Sequence, residues 1–314
     1  MQKISRIVVG LALVTIMVIG VNSGAKAAYP QKPINLIVAF KAGGSLDTTF
    51  RVFAKALSKE LGKPVVVSNR AGAGGAVGAS HLKMKKPDGY TLGANASLAF
   101  TLSINLGKVD YTVDDFTYIA SIAQTQPAFV ATPQKGWKSW WDLIKAAKEK
   151  GSLTYASQTP WDRMAIKVIN KKSGVNLVPV PTKGGGEMIP ALLGGHVDFA
   201  WSGGVHYKYV KAGKMVVLAA CTSKPLIAFP EVPTLRDLGY DISMDVPFLL
   251  VAPKGLPPDV KQILERAARN AFNSKEVQEL ITQRLHMPAV FTGSEQLTRQ
   301  IKASYESYKK ALGK

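Results

Sequence analysis

The order of hydrophobic patterns along the chain predicts an α/β protein with two lobes. A strand, helix, strand, helix, strand series runs from Ile34 to Ala96, and a second series of the same kind begins near residue 130. Such alternation is typical of parallel sheets covered by helices. A strand-like apolar segment at 243–255 precedes a helical tail, and we expect it to return the chain from the second lobe to the first.

The first series opens with the buried-strand run INLIVAF at 34–40. Apolar residues at helical spacing then predict an amphipathic helix that ends at Gly62. Two more strands are predicted at KPVVVSN (63–69) and TLGANA (91–96), with a helix between them at GASHLKMKK (78–86). This order predicts one parallel layer.

The second series repeats the pattern, and a helical tail follows from Pro257. In that tail, Thr292 and Glu295 have the spacing of a capping box. We expect a leader at 1–27, a first lobe at 28–129 and 249–314, and a second lobe at 130–248. The second-lobe segments are helices at 137–151, 161–174 and 187–195, and strands at 153–157, 175–181, 196–202 and 214–221.

The first residues have the pattern of a secretory signal peptide. A short basic segment, MQKISR, precedes an apolar run at 7–21 and small residues at Ala25 and Ala27. A retained membrane anchor is the alternative, but the apolar run is shorter than the roughly 20 residues that a spanning helix needs. We therefore expect cleavage near Ala27 and a periplasmic protein.

Composition narrows the class of function. The formal net charge is +19, but the basic residues are dispersed, which favours capture of anions over binding of nucleic acid. Cys221 is the only cysteine, so the chain can form no internal disulfide. The four histidines lack metal-site spacing, and no G-x-S-x-G motif occurs. We predict no catalytic residue, metal or cofactor, and a monomer.

Two glycine-rich segments precede predicted helices. FKAGGSLD at 40–47 follows the first strand, and PTKGGGE at 181–187 has the same arrangement in the second lobe. Glycines let a backbone approach a ligand, and the unpaired N–H groups at a helix start attract anions. The alternative is a tight turn in which Ser45 or Asp47 is a plain N-cap.

A third glycine-rich segment, SNRAGAGGAVG at 68–78, is similar to a dinucleotide-binding loop. Val77 occupies the third glycine position, however, and the segment follows the second strand rather than the first. We interpret it as a turn that lines a cleft.

The segment ASQTPWD at 156–162 ends a predicted strand and offers hydroxyl donors from Ser157 and Thr159. Trp161 and Arg163 could contact a ligand, with core packing and solvation as their alternatives.

Taken together, these segments resemble one protein family. The segments that show the resemblance are, in chain order, YPQKPINLIVAFKAGGSLD, LGKPVVVSNRAGAGGAVGA, PDGYTL, PTKGGGEMIPALLGGHVDFAW, AGKMVVLA, FPEVPTLRDLGYD and VAPKGLPPDV. In this combination the chain resembles the tripartite tricarboxylate transporter substrate-binding family, also called the Bug family. The resemblance implies a type II periplasmic-binding-protein fold, in which two α/β lobes joined by a strand hinge enclose a ligand cleft.

The resemblance also implies a function. Such a protein captures a small organic carboxylate through backbone and hydroxyl groups and delivers it to a membrane permease with a large and a small subunit. The positions that match the family's cleft loops are Gly43, Gly44, Ser45, Asp47, Asn69, Gly72, Gly74, Gly75, Ser157, Thr182, Lys183, Gly184 and Asp198.

Two departures bear on the choice of ligand. The chain reads QTPWDRM at 158–164 where the family has a glycine-rich segment with a histidine, and Thr182 stands where tyrosine is common. Trp161 could shorten the cleft or admit an aromatic acid. The alternatives to a transport function are a sensor subunit that presents its ligand to a receptor, and an exported enzyme that acts on a carboxylate.

Overall fold

The computed structural model describes residues 29–107 and 109–314. The predicted leader and its cleavage site at Ala27 lie outside these residues. Within them, no helix has the length and apolar character needed to cross a membrane.

The described residues form two sheets, each covered by helices. The strands are β1 Ile34–Val38, β2 Val65–Asn69, β3 Thr91–Ala96, β4 Phe116–Gln124, β5 Ala128–Ala131, β6 Leu153–Ser157, β7 Leu177–Pro181, β8 Phe199–Ser202, β9 Val216–Ala220, β10 Pro247–Pro253 and β11 Thr292–Gly293. The α-helices are α1 Ser45–Leu61, α2 Ala76–Lys83, α3 Leu102–Asn105, α4 Trp140–Lys150, α5 Pro160–Ser173, α6 Gly185–Leu193, α7 Tyr207–Lys211, α8 Pro258–Asn273, α9 Lys275–Glu279 and α10 Ser294–Ala311.

The first lobe contains a six-stranded sheet in the order β11-β4-β10-β3-β1-β2. Strand β1 is parallel to β2 and β3, whereas β10 is antiparallel to β3 and β4. Helix α1 buries Phe50, Phe53 and Leu57, which lie on one helical face, and it ends at Gly62 in the left-handed conformation with φ 65°. The predicted position of this helix end is confirmed.

The second lobe contains a five-stranded sheet in the order β7-β6-β8-β5-β9. Strand β6 is parallel to β7 and β8, so the helices α5 and α6 begin at the same edge of the sheet. Helix α4 begins at Trp140 with a capping box between Ser139 and Asp142, so Trp137 precedes the predicted helix rather than belonging to it.

The chain crosses between the lobes twice in the described residues. The first crossing lies between Gln124 at the end of β4 and Ala128 at the start of β5, and the second ends at Pro247, where β10 begins. The N–H of Thr125 donates to the carbonyl of Val246 at 2.9 Å, which joins the two crossings. Both crossings lie within a few residues of the boundaries expected at 129 and 249.

Two local predictions need correction. The capping box at Thr292 and Glu295 is wrong, because α10 begins at Ser294 with Gly293 as its N-cap and without a side-chain cap. Thr292 instead pairs with Ser121 in the short strand β11. No predicted element covers β4, an almost wholly buried strand that lies between β11 and β10 in the first sheet.

Candidate functional site

The two lobes contact each other through the loops that follow β1 and β7. The N–H of Lys41 donates to the carbonyl of Lys183 at 2.9 Å. The hydroxyl of Ser45 donates to the carbonyl of Gly203 at 3.2 Å. These bonds define a closed arrangement, in which strand ends from both sheets face one interlobe space, as in other open α/β folds that bind ligands there.

Two helix N-termini meet across this space. Helix α1 has Gly44 as its N-cap, α6 has Gly184, and neither has a side-chain cap. A Cβ on Gly44 would lie 3.3 Å from the backbone nitrogen of Gly185, so the two helix starts are in contact. Among the described residues, no group accepts a hydrogen bond from the N–H of Gly44 or Gly185. Two positive dipole ends that face each other favour an anion between them.

A cavity of about 40 Å³ lies beside this contact. It has room for about three water molecules, so the lobes must separate to admit a ligand. None of its lining residues carries a charged side chain. They are Phe40, Gly44, Ser45, Leu46, Gly74, Ala96, Leu98, Thr125, Gln158, Thr159, Gly185, Trp201, Gly203, Met244, Val246 and Phe248.

Two buried donors in this lining have no hydrogen-bond partner within the described part of the chain. They are the hydroxyl of Thr125 and the indole N–H of Trp201, each on a residue with 3% exposure. The indole lies by the thiol of Cys221, which is only a weak acceptor. Because unpaired buried donors are rare in proteins, these two are candidates for bonds to a ligand. Sequence reasoning missed both, although Thr125 stands in the segment where the chain leaves the first sheet.

Four of the residues predicted from the sequence line the cavity: Gly44, Ser45, Gly74 and Thr159. Gly74 has φ 65°, and a Cβ there would lie 2.7 Å from Cδ of Pro160 in the other lobe. Glycine is therefore required at this position both by the backbone conformation and by the approach of the second lobe.

Asp47 and Asn69 shape the first-lobe loop without lining the cavity. The carboxylate of Asp47 accepts hydrogen bonds from the N–H of Gly43 at 3.0 Å and from the side chains of Arg51 at 2.9 Å and Asn69 at 2.8 Å. The N–H of Gly43 is thus already used. The interpretation of Asp47 as a residue of the helix start fits these bonds better than ligand contact.

The bonds to Asp47 predict a pH effect. Burial pushes the pKa of Asp47 up, but hydrogen bonds from Arg51, Asn69 and Gly43 outweigh it and hold this pKa below its ordinary value. The resulting stability is present above the unfolded-state pKa of about 3.9 and is lost as the pH falls through the folded-state value. In urea unfolding from pH 7 to pH 3, Asp47→Asn should lose less stability on acidification than the wild type.

The control for this effect is Asp241→Asn, because that side chain is fully exposed. It should follow the wild-type pH dependence. Equal acid sensitivity of the wild type and Asp47→Asn would contradict the assignment.

Asp162 occupies the helix start that follows β6. Its fully buried carboxylate accepts hydrogen bonds from the hydroxyl of Ser157 at 2.6 Å and from the N–H of Thr159 at 2.6 Å and of Gln158 at 2.9 Å. Burial raises the pKa of this carboxyl, and the same hydrogen bonds together with the charge of Arg163 oppose the shift.

Ser157 and Trp161 lie away from the interlobe cavity. Ser157 is fully buried, donates to Asp162, accepts from Arg163 at 2.9 Å and does not line the cavity. Trp161 packs in the hydrophobic core and neither shortens nor lines the interlobe cavity. Donor groups that form hydrogen bonds to Asp162 are therefore not available to a ligand at this strand end.

The loop after β7 is fixed by backbone contacts. Thr182 donates to the carbonyl of Ser157 through its N–H at 2.7 Å and its hydroxyl at 3.0 Å. The N–H of Lys183 donates to Glu187 at 2.7 Å, and the exposed lysine side chain does not line the cavity. Gly184 has φ 125° and packs against Phe40 of the first lobe.

Gly72 and Gly75 shape the remaining first-lobe loop. Gly72 has φ 146° and Gly75 has φ 98°, conformations that favour glycine, and a Cβ on Gly75 would overlap the side-chain oxygen of Asn95. Both are needed to bring Gly74 to the second lobe.

Asp198 does not line the interlobe cavity. It precedes β8, and its carboxylate accepts from the N–H of Thr154 at 2.9 Å and from the side chain of Lys135 at 2.6 Å. Since β6 and β8 are parallel, Asp198 lies at the edge opposite to Ser157. Ligand contact by Asp198 stays a prediction that this position does not support, because a polar residue next to a strand does not show at which end of the sheet it lies.

The sequence of the chain is similar to those of known proteins from one family. Residues 49–312 match the family described as the tripartite tricarboxylate transporter family receptor. The UPF0065 protein in the gbd 5' region of Cupriavidus necator is 36% identical over 275 residues, which cover 85% of this chain and 83% of the relative. BugT of Bordetella pertussis is 33% identical over 274 residues, covering 84% of this chain and 83% of BugT.

Solved structures share the fold. A protein described as a periplasmic transporter has a TM-score of 0.84 and 28% identity, covering 91% of this chain and 98% of its own. A Rhodopseudomonas palustris protein with adipate has a TM-score of 0.81 and 23% identity over 90% of this chain and 97% of its own. MatC of the same organism with bound malate has a TM-score of 0.79 and 22% identity, over 90% and 99%. The predicted periplasmic-binding-protein fold is confirmed, and the chain belongs to the tripartite tricarboxylate transporter receptor family.

Proposed function

We propose that the mature protein, cleaved near Ala27 and monomeric, captures a small organic carboxylate in the periplasm and catalyses no reaction. It delivers this ligand to a membrane permease with a large and a small subunit. The observation that carries the proposal is the meeting of two uncapped helix N-termini, those of α1 and α6, across the cleft. The malate and adipate bound to two proteins of the same fold support a carboxylate as the ligand.

Neutral donors hold the carboxylate in this proposal. The N–H groups of Gly44 and Gly185 lie at the contact, and the dipoles of both helices add to their attraction. Lys41 and Lys183 flank the two loops, but both side chains are exposed. An exposed charge pair contributes only about 0–1 kcal/mol, so these lysines serve mainly to attract the anion from solution.

A ligand panel tests the proposal. Di- and tricarboxylates, aliphatic and aromatic monocarboxylates, sugars and amines are screened by thermal shift, and each ligand that shifts the midpoint is measured by calorimetry. We expect an acid to stabilise the protein, because a ligand at 100 times its dissociation constant adds about 2.7 kcal/mol. Stabilisation by a sugar or an amine alone would contradict the proposal.

Lysine variants test the source of the affinity. Lys41→Gln and Lys183→Gln should each weaken binding by less than about fivefold, the equivalent of about 1 kcal/mol, and slow the association rate at low salt. Loss of binding in either variant would show that charged side chains, rather than backbone donors, hold the ligand.

A further inference from the structure

The interlobe cavity has two chemically different ends. On the first lobe most of its lining residues lie at one edge of β1, β3, β10 and β4, which are neighbours in this order, and the loop after β2 adds Gly74. Gly44 follows β1 and Thr125 follows β4, so three strand spacings, about 14 Å, separate the two strand ends. One end holds the two helix N-termini, and the other lies at the crossings between the lobes. We call the second one the hinge end.

The hinge end is apolar apart from two neutral donors. Met244, Val246 and Phe248 line it from the second crossing and the start of β10. The two donors are the unpartnered hydroxyl of Thr125 and the unpartnered indole N–H of Trp201. Trp201 belongs to this end because it pairs with Phe129 at the start of β5, directly after the first crossing.

The geometry points to a monocarboxylate with an apolar body as the ligand class. We propose that its carboxylate lies between the starts of α1 and α6, and that its body extends to the hinge end. There, a neutral oxygen on the body accepts a hydrogen bond from Thr125. This inference rests on the proposed carboxylate-binding function and narrows it.

A second carboxylate has no suitable partner at the hinge end. No cationic side chain lines the cavity in the described chain, and Met244, Val246 and Phe248 would surround the charge with apolar groups. Burying a charge without an opposite charge is costly.

Two basic side chains of α5 line a different space. Arg163 and Lys167 line a wider groove of about 550 Å³, together with Ala73 and Pro160. Gly74, which follows Ala73, and Thr159, which precedes Pro160, line the interlobe cavity instead. The contact between Gly74 and Pro160 therefore separates the groove from the cavity.

Length-matched acids test this inference by calorimetry on the mature protein. The pairs are butyrate with succinate, hexanoate with adipate, and octanoate with suberate, together with phenylpropanoate and the ω-hydroxy derivative of hexanoate. We expect the best monocarboxylate to bind at least about tenfold more tightly than the dicarboxylate of its length, since the second charge is left unpaired. The hydroxy acid should bind more tightly than hexanoate.

A variant tests the role of Thr125. Thr125→Val keeps the shape of the side chain and removes its hydroxyl donor. The hydroxy acid and hexanoate should then bind with an affinity ratio of about one, because the hydrogen bond from Thr125 is lost. Thr117→Val is the matched control, since Thr117 lies at the other end of β4 and its hydroxyl donates to the carbonyl of Pro253. It should keep the wild-type ratio.

The outcomes separate this inference from the proposed function. If a dicarboxylate binds as tightly as its monocarboxylate partner, or if Thr125→Val keeps the wild-type ratio, the inference is wrong and carboxylate binding stands. If no acid of the set binds, the proposed function fails together with the inference.

Discussion

Replacing Gly186 by alanine should abolish high-affinity ligand binding and leave both lobes folded. Gly186 lies in the first turn of α6, and a Cβ there would overlap the carbonyl oxygen of Ala42 in the first lobe. The overlap exists only when the lobes are together, so the variant blocks the closed arrangement rather than the fold. Because a carboxylate between the helix starts is held by both lobes, a variant that keeps the lobes apart should lower the affinity at least about 100-fold in calorimetry.

Gly293→Ala is the matched control for this variant. Gly293 has φ −73° as the N-cap of α10, and a Cβ there would meet only a side-chain nitrogen of Arg269 at an ordinary 3.6 Å. We expect it to bind like the wild type, and the melting temperature of unliganded Gly186→Ala should not fall. Wild-type affinity in Gly186→Ala would show that the lobes do not close through this contact.

Asp162→Ala should have the largest effect on stability. The fully buried carboxylate accepts from Ser157, Gln158 and Thr159, and its removal leaves these donors buried without an acceptor beside the charge of Arg163. Loss of one partner in such a buried network costs about 3–5 kcal/mol. Urea unfolding at neutral pH measures this change in the free energy of unfolding.

The chain contains a matched position for comparison. Asp142 occupies the same place in the capping box of α4, where it pairs with Ser139, but its side chain is not buried. Asp142→Ala should therefore cost much less than Asp162→Ala. Equal losses would mean that Asp162 acts only as a helix cap and that its burial adds nothing.

The sequence predicted the cleft loops because their signals are local. In FKAGGSLD and PTKGGGE, glycines stand directly before a helix start, and the structure brings these two segments into contact. The strand and helix order was predictable for the same reason, since hydrophobic spacing reports locally which face is buried.

The hinge end could not be predicted in this way. Thr125, Trp201 and Met244 come from segments far apart in the sequence, and no local pattern shows that they line one cavity. The hydrogen bond from Ser157 to Asp162 was easier to predict. The spacing of Thr159 and Asp162 is similar to that of a capping box, which indicates that a nearby carboxylate uses the donors at this strand end.

A crystal structure of the mature protein with its tightest-binding acid tests the central claim most directly. We expect carboxylate oxygens within hydrogen-bond distance of the backbone N–H groups of Gly44 and Gly185, with the two helix starts moved apart to make room for the carboxylate. A carboxylate bound instead to Arg163 and Lys167 in the wider groove, with the two helix starts unused, would contradict it.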